Sequence, residues 1–473
     1  VYIRTNMPCE LIADKAFLYG LDNSVRLSES NTSFYNPSHA IRIFSDAKST
    51  RDIRIIISDD YEFISTTDMS RAETRARECA LKFSTLNKFE LCSKDTRLDL
   101  LFNKWLPYQV VSSRLNGKCA YYQAGGATGF RDQLQDCLTM LYIDKDRVRR
   151  HILDCAAHQY LEGDVQHWWH PERYGVRTHI TDDRLFLPFL AFEYADFTGD
   201  ESIFDERERY LVSPSLNALD EGRLEVPDIG KMSESLLGHI KRAIDSVLNY
   251  GENGLLLIGG GDWNDALNEI GIREKGQSVW LSMFAVYVMR KYVKYVDYEQ
   301  RRIYLNHIDN LSKALENSFK DGYFMRAVTD DKEELGRLSC KHFAIDLLCQ
   351  SWSVIANVTT KSKQKSAMQK AASLIDAEYG IIKLLSPAQT KLHYYGYISS
   401  YPEGVRENGG QYTHAAVWYA KALAILRESV EKDGKTYDAT DILNMLNPII
   451  RGQDVALDRA YKGEPYVLAG DIY

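Results

Sequence analysis

The chain contains no run of about 18 apolar residues, so nothing in it reads as a membrane-spanning helix. It opens Val1-Tyr2-Ile3-Arg4, with neither a Met nor the charged-then-apolar pattern of a secretory leader. That start is read as a fragment or a processed form. The eight cysteines, at positions 9, 79, 92, 119, 137, 155, 340 and 349, include no CxxC and no disulfide-scaffold density. They are expected to be reduced thiols of a cytoplasmic protein, with Cys137, Cys155 and Cys349 in apolar helical patterns and therefore in the core. Excess positive charge is missing too: the net charge of −8 argues against a nucleic-acid surface. No repeat of solenoid length and no low-complexity tract is present.

What remains is an ordinary globular composition, 45% hydrophobic and 26% charged. At 473 residues the chain exceeds one simple core, so two or three domains are expected. Residues 1–66 alternate apolar and polar, as in Ile41-Arg42-Ile43-Phe44 and Ile53-Arg54-Ile55-Ile56-Ile57, and read as strands. Residues 67–95 are charged and Ala-rich around 70–87 and read as a helical linker. From 96 to 473 helical periodicity dominates. Leu98, Leu101, Phe102, Trp105 and Leu106 make a first stripe. Further helices are expected at 136–143, 146–160, 183–198, 232–250, 279–295, 303–319, 342–357, 362–378, 414–430 and 439–446. Short and long connections alternate between them, which suggests paired helices in a ring; periodicity alone equally allows an α-solenoid.

Four Gly-rich segments of polar and aromatic residues interrupt this helical pattern. Residues 259–265 (GGGDWND) place two carboxylates three positions apart around an indole, directly after glycines that allow tight turns and close approach. An aromatic face suits the C–H face of a sugar, and a carboxyl beside it can protonate a glycosidic oxygen. Residues 122–136 (YQAGGATGFRDQLQD) run from glycines into an Arg fork with amide and acid partners. Residues 163–171 (GDVQHWWHP), continuing to Asp183, and 401–414 (YPEGVRENGGQYTH) have the same character. Such segments read as loops gathered at one end of a helical scaffold, and sugar sites have that composition. By sequence alone Asp262 rivals Asp265 as the acid, because a like charge nearby tends to keep one carboxyl protonated. The plainer reading makes Asp262 a loop-capping acceptor, Trp263 core, Asp136 an N-cap, Lys118 an exposed cation and His414 a capping residue. His167 and His170 stand three apart, but no Cys/Asp/Glu cluster accompanies them, so no metal is expected.

These four motifs, in this order, resemble the inverting glycoside phosphorylases of glycoside hydrolase family 94, over roughly Asp95 to the C-terminus. GDVQHWWHP and GVRENGGQYTHAA are most similar to the 1,2-β-glucan branch. The resemblance implies an (α/α)6 barrel with the active site in its mouth, preceded by a β-sandwich for which residues 1–66 are short. It implies phosphorolysis of β-linked gluco-oligosaccharides, best matched to β-1,2, to give α-glucose 1-phosphate. Asp265 matches the proton donor. Arg131 and Asp136 match residues that hold the hydroxyls of the transferred sugar, with Asp132 beside them. Trp263 matches a sugar-contacting indole, and Glu407 a sugar-contacting acid next to Arg406. His167 and Trp168 are placed on the cleft wall. His414 matches a phosphate ligand, and Lys118 stands where relatives often carry Arg for phosphate; Lys supplies charge without the bidentate fork. Relatives continue into a segment carrying a phosphate-binding Thr, so the phosphate site as written is expected to be incomplete. No cofactor is expected beyond inorganic phosphate as co-substrate, and a homodimer is an open expectation.

Two other functions fit the same residues. An inverting hydrolase needs a base about 6.5–9.5 Å from the acid to activate water, and Glu407 or Glu403 is available. A non-catalytic glucan-binding or chain-length-control module of a larger synthase fits the substitution at Lys118. A phosphorylase needs only the acid, because phosphate is already an anion and requires positioning rather than deprotonation.

Overall fold

The computed structural model describes residues 90–93, 95–118, 125–217, 220–390 and 395–446, helical residues at 74–75 and 77–78, five short strands before these, and the strand Asp471–Ile472. The chain divides into two units, Val1–Leu86 and Asn87–Tyr473. That division falls inside the stretch read as a linker.

In the first unit β1 (Tyr2–Thr5) lies between β3 (Ser24–Arg26) and β5 (Ile55–Ser58), and β2 (Cys9–Ile12) pairs with β4 (Ala40–Ile43). Every pairing is antiparallel; Ile3 opposes Ile57 and Leu11 opposes Ile41. The β-branched residues at 41–43 and 55–57 thus lie in strands, as the expected alternation requires.

The second unit is helical. A stretch over 96–116 (α1) is followed by α2 (Phe130–Met140), α3 (Lys145–Ala156), α4 (Asp183–Thr198), α5 (Leu236–Val247), α6 (Val279–Tyr292), α7 (Tyr298–Ser318), α8 (Leu347–Ile355), α9 (Lys361–Ala371), α10 (Thr413–Leu426) and α11 (Ala439–Leu446). Their contacts alternate. Helix α2 packs on α4, α4 on α6, α6 on α8 and α8 on α10, while α3, α5, α7, α9 and α11 lie against the members of that series. The sequences explain the sorting. In α6, the run Val279 to Met289 is buried at all but one position, so this helix is apolar all round and belongs inside. In α5, Leu236, Ile240, Ala243, Ile244 and Val247 form one buried stripe, so this helix has an outer face. Five inner helices are described here, a series of the kind expected of paired helices in a ring. Aromatic rings fill the joint between α6, α8 and α10: Trp352 lies 5.1 Å from Trp418 and 5.8 Å from Trp280, centroid to centroid. Cys137, Cys155 and Cys349 are buried in this unit.

The inner helices all begin at one end. Gly129, Asp182, Ser278, Asp346 and Tyr412 precede α2, α4, α6, α8 and α10. Four of these starts follow directly on two-residue strands, at 128–129, 277–278, 345–346 and 411–412. The positive ends of five helix dipoles therefore collect at the end that carries the motifs.

The glycine run at 259–261 packs directly on residues 179–181. Gly260 N–H donates to the His179 carbonyl at 3.0 Å, and Thr181 N–H donates to the Gly261 carbonyl at 3.0 Å. Gly259 has φ of 62°, and a Cβ there would lie 2.5 Å from Thr181 Oγ1 and 2.7 Å from the His179 oxygen. Gly380 has a similar φ of 61° with open space around it. Gly380→Ala should therefore cost only the left-handed strain of about 1–2 kcal/mol. Gly259→Ala should cost that plus overpacking of about 1–3 kcal/mol. Urea unfolding of the two variants checks the difference; equal losses would refute the close-approach account.

Candidate active site

Arg131, the second residue of α2, organises the site. Its Nη1 donates to both oxygens of Asp182 at 3.1 and 3.2 Å and to the Asp262 carbonyl at 3.2 Å. Its Nη2 donates to Asp265 Oδ1 at 2.7 Å, and its Nε lies 3.7 Å from Asp183 Oδ1. Burial disfavours the guanidinium charge, but Asp265, Asp182 and Asp183 more than compensate and raise its pKa well above the usual value. Burial also pushes the Asp182 carboxyl up, further than Arg131 can offset. Thus α2, α4 and the turn after the glycines are tied together by one side chain.

The two acids of DWND have different environments. Asp262 is 0% exposed. Its carboxylate takes both Arg326 terminal nitrogens at 2.6 Å and the Ser278 hydroxyl at 2.5 Å, and accepts from Asn264 N–H at 3.1 Å. Burial alone would raise this carboxyl, but Arg326 holds it below the ordinary range. The Asp265 side chain is 29% exposed and opens into a cavity of about 600 Å³ shared with His167, His179, Gly259, Asn268 and Tyr397. That volume lies within the roughly 300–1,000 Å³ range of small-molecule sites. Asp262 is thus the loop anchor and Asp265 the acid that a ligand can reach.

His167, on the strand Gln166–Trp169, donates from Nδ1 to Asp183 Oδ2 at 2.7 Å. Burial works against its charge, but the Asp183 contact and the nearby Asp265 raise it to about 9, so the ring is an imidazolium at neutral pH. Trp168, its neighbour, is half-buried and meets the His170 ring edge-on, whereas Trp169 is buried and stacks 4.0 Å from His158. Asp132 and Asp136, one turn apart on α2, share Arg114, at 3.4 and 2.9 Å. Burial opposes the Asp132 charge, yet Arg131 and Arg114 hold its carboxyl below the ordinary range. Burial raises Asp136 to about 7 despite Arg114. Asp136 is therefore no N-cap: Gly129 occupies that position and Asp136 lies inside the helix. Asp132 also acts electrostatically on His167 and His414, so it is the more central of the two.

His414, second residue of α10, accepts a hydrogen bond at Nδ1 from Trp263 Nε1 at 3.1 Å. Trp263 is 7% exposed and packs edge-on against Tyr412 at 5.0 Å. Burial lowers His414 to about 4. His414 does not line the Asp265 cavity; it joins the same turn through Trp263. Glu407 is buried and lies 3.5 Å from the Arg406 guanidinium, which also donates to the Tyr401 hydroxyl at 2.7 Å. Glu407 and Asp265 both act on Tyr397 and Tyr401, so the 401–414 segment meets the acid across these tyrosines. Lys118 follows the end of α1 with φ of 47° and acts on His151 and His158. Residues 122–124 of the motif at 122–136 lie outside the described residues, and Gly126 adopts φ of 75°. Among the described residues, no group of three His, Cys, Asp or Glu side chains is placed to hold a metal, and no helix is long and apolar enough to cross a membrane.

Sequence reasoning missed Arg114, Ser278, Arg326, Asp346 and Tyr397. Arg326 is the most consequential: it is buried, it pairs with Asp262, and it lies 3.6 Å from Asp346. Burial raises Asp346 to about 6 despite that contact.

The helical alternation and this cluster place a reachable carboxyl and two buried arginine–carboxylate groups at one end of a helical scaffold, and comparison with known families says which scaffold it is. The model of the glycosyl hydrolase 94 superfamily catalytic domain matches residues 83–473, and the chain belongs to that family. The resemblance read from the four motifs is borne out. The chain is 39% identical over 388 residues to the cyclic beta-(1,2)-glucan synthase NdvB of Rhizobium meliloti (strain 1021), covering 80% of this chain and 14% of that protein. It is 26% identical over 331 residues to a solabiose phosphorylase of Paenibacillus borealis (68% and 39% covered), and 24% identical over 437 residues to an N,N'-diacetylchitobiose phosphorylase of Vibrio proteolyticus (83% and 50% covered). The chain thus spans at most half the length of these curated relatives. Among solved structures, a GH78 family rhamnosidase of Bacillus sp. GL1 matches with a TM-score of 0.48 at 13% identity, over 79% of this chain and 32% of that one.

Two outcomes test the electrostatics. Arg326→Leu should strand the buried Asp262 charge and cost about 3–5 kcal/mol by urea unfolding, with partial recovery on adding Asp262→Asn; no recovery would mean that Arg326 acts by packing. The folded value of His167, about 9, lies above its ordinary 6.5. Its contribution to stability is therefore full below about pH 6.5 and lost as pH rises through 9, an effect of order 3 kcal/mol at most. Asp183→Asn should remove this alkaline loss from the pH dependence of unfolding; an unchanged profile would contradict the pairing.

Proposed function

We propose that this chain catalyses inverting phosphorolysis of β-linked gluco-oligosaccharides, with β-1,2 as the preferred linkage, releasing α-glucose 1-phosphate and a shortened sugar. The observation that carries this reading is the division of labour in DWND: Asp262 is sealed beneath Arg326, and Asp265 meets the cavity with one oxygen on Arg131. In the reaction Asp265 delivers a proton from Oδ2 to the glycosidic oxygen as the C1–O bond breaks. A phosphate oxygen forms the new bond to C1 from the opposite face, which inverts the configuration. His414 supports this geometry because it lies off the leaving-group cavity yet joins the same turn through Trp263. Asp132 and Glu407 are the carboxylates available to accept from sugar hydroxyls. The identity to a β-1,2-glucan synthase and the phosphorylases among the relatives favour phosphate transfer and this linkage.

A hydrolase is the second reading, because Glu407 and Asp265 act on the same tyrosines. A panel of β-1,2, β-1,3 and β-1,4 gluco-oligosaccharides with and without phosphate separates the two. The expected product is α-glucose 1-phosphate, formed only with phosphate and fastest from the β-1,2 series. Free glucose produced at the same rate without phosphate would replace this reading with hydrolysis. Asp265→Asn should lower kcat about 10²–10⁴-fold with little change in stability; a smaller loss than that caused by Asp262→Asn at equal folded fraction would reverse the assignment.

A further inference from the structure

We propose that Trp263 is a positioning residue that works through His414, fixing the imidazole in the tautomer that presents Nε2–H to phosphate. This deepens the reading of His414 as a phosphate ligand and rests on it. An indole nitrogen only donates, so Nδ1 of His414, 3.1 Å away, must be the acceptor and carry no proton. A neutral imidazole holds one proton, which then sits on Nε2. Burial keeps the ring neutral at physiological pH: it outweighs the opposing pull of Asp132, and Arg131 acts in the same direction. In the other tautomer two N–H groups would face each other across 3.1 Å, with the indole N–H of a nearly buried Trp left unmade.

The ring is also clamped. Trp418, one turn further along α10, lies 4.1 Å from His414 centroid to centroid, and Trp263 lies 5.6 Å away. Trp263 is itself held by Tyr412 at 5.0 Å and Trp418 at 5.8 Å, so the donor cannot drift from its acceptor. Two i, i+4 positions on α10 and one residue of DWND therefore make a single unit. Phosphate dianion has acceptor oxygens almost everywhere and needs donors in fixed directions. A ring free to turn or change tautomer would show it an Nε2 lone pair part of the time. Trp263 supplies direction without adding charge beside Asp132 and Asp265. This assigns the indole to the imidazole rather than to the face of the sugar.

Trp263→Phe keeps a ring and removes the N–H. With ¹⁵N-labelled histidine, and the His414 signals assigned by their loss in His414→Gln, the wild-type protein should show a proton on Nε2 and none on Nδ1. Trp263→Phe should show a mixture or the opposite tautomer. In turnover, Trp263→Phe should raise the KM for phosphate about tenfold, the effect of one lost hydrogen bond, with the KM for oligosaccharide within about twofold. His414→Gln, whose amide nitrogen can stand in for Nε2–H, should keep phosphate use within a few fold. His414→Asn, which can mimic only Nδ1, should lose about tenfold or more. A wild-type ring protonated at Nδ1, an unchanged tautomer in Trp263→Phe, or an equal rise in both KM values would overturn the proposal. If Trp263→Phe fails to fold, the wild-type spectrum and the Gln/Asn contrast still decide it. If the protein turns over no phosphate at all, the spectra still test the lock, and the functional reading is what fails.

Discussion

The Arg131 guanidinium lies among carboxyl groups from two other parts of the chain: Asp182 and Asp183 at the start of α4, and Asp265 after the glycines. A buried cation is tolerated only with partners, and buried carboxyls only with a cation, so each of these groups restricts the others. The planar fork adds direction, because its nitrogens leave in fixed directions, Nη1 toward Asp182 and Nη2 toward Asp265, whereas a Lys ammonium supplies no fixed fork. Through Asp183 the constraint extends to His167, and through the Asp262 carbonyl to the backbone of the turn at 262–265. Asp265 has its place because Arg131 has its place.

A second buried arginine repeats this logic one layer deeper. Arg326 holds Asp262 from below, and Ser278 and Asp346, which cap α6 and α8, stand on either side of it. The N-cap residues of two inner helices thus serve twice, closing their own helices and bracing the turn. This couples the helical scaffold to the chemistry: a shift in α6 or α8 moves Ser278 or Asp346 and hence Asp262, three residues before the acid. The five helix starts add positive partial charge on the same side, which offsets an end of the helical unit otherwise crowded with carboxylates.

The parts of this arrangement that were legible in the sequence are those with local signatures. The helix at Asp183–Thr198 follows from periodicity ending at Gly199, which takes the left-handed C-cap. The four motifs are visible because Gly, Trp, Asp and Arg cluster there against a helical background. Helix α2 was placed too late, at 136, because Gly129-Phe130-Arg131-Asp132 reads as loop; in the fold Gly129 is the N-cap and the motif is the first turn itself. The strands Arg207–Val212 and Asp228–Ser235 escaped because DIGKMSES has no alternation, and its end was absorbed into an expected helix from 232. Arg326 and Asp346 were invisible for a different reason. Each is a lone charge in an ordinary apolar context; the long-range pairing of Ala327 with Ser278 brings Arg326 to Asp262, and the start of α8 brings Asp346 to Arg326.

Asp262 and Asp265 show why the tertiary environment decides chemistry that a tetrapeptide cannot. Both are aspartates in one turn, three residues apart, and a proton-donor role was open to either. What separates them is which side of the turn each faces. Asp262 turns inward and meets Arg326, Ser278 and a backbone N–H, so its charge is fully solvated by protein. A group satisfied in this way has no reason to carry or release a proton. Asp265 turns outward, where a single arginine nitrogen takes one oxygen and the side chain lines the cavity. Trp263, between them, spends its N–H on His414. Successive residues of one short turn thus anchor the loop, hold the His414 ring and present a carboxyl to the cavity. The turn performs all three tasks because the preceding glycines let its backbone lie flat against residues 179–181, so that consecutive side chains diverge into different surroundings.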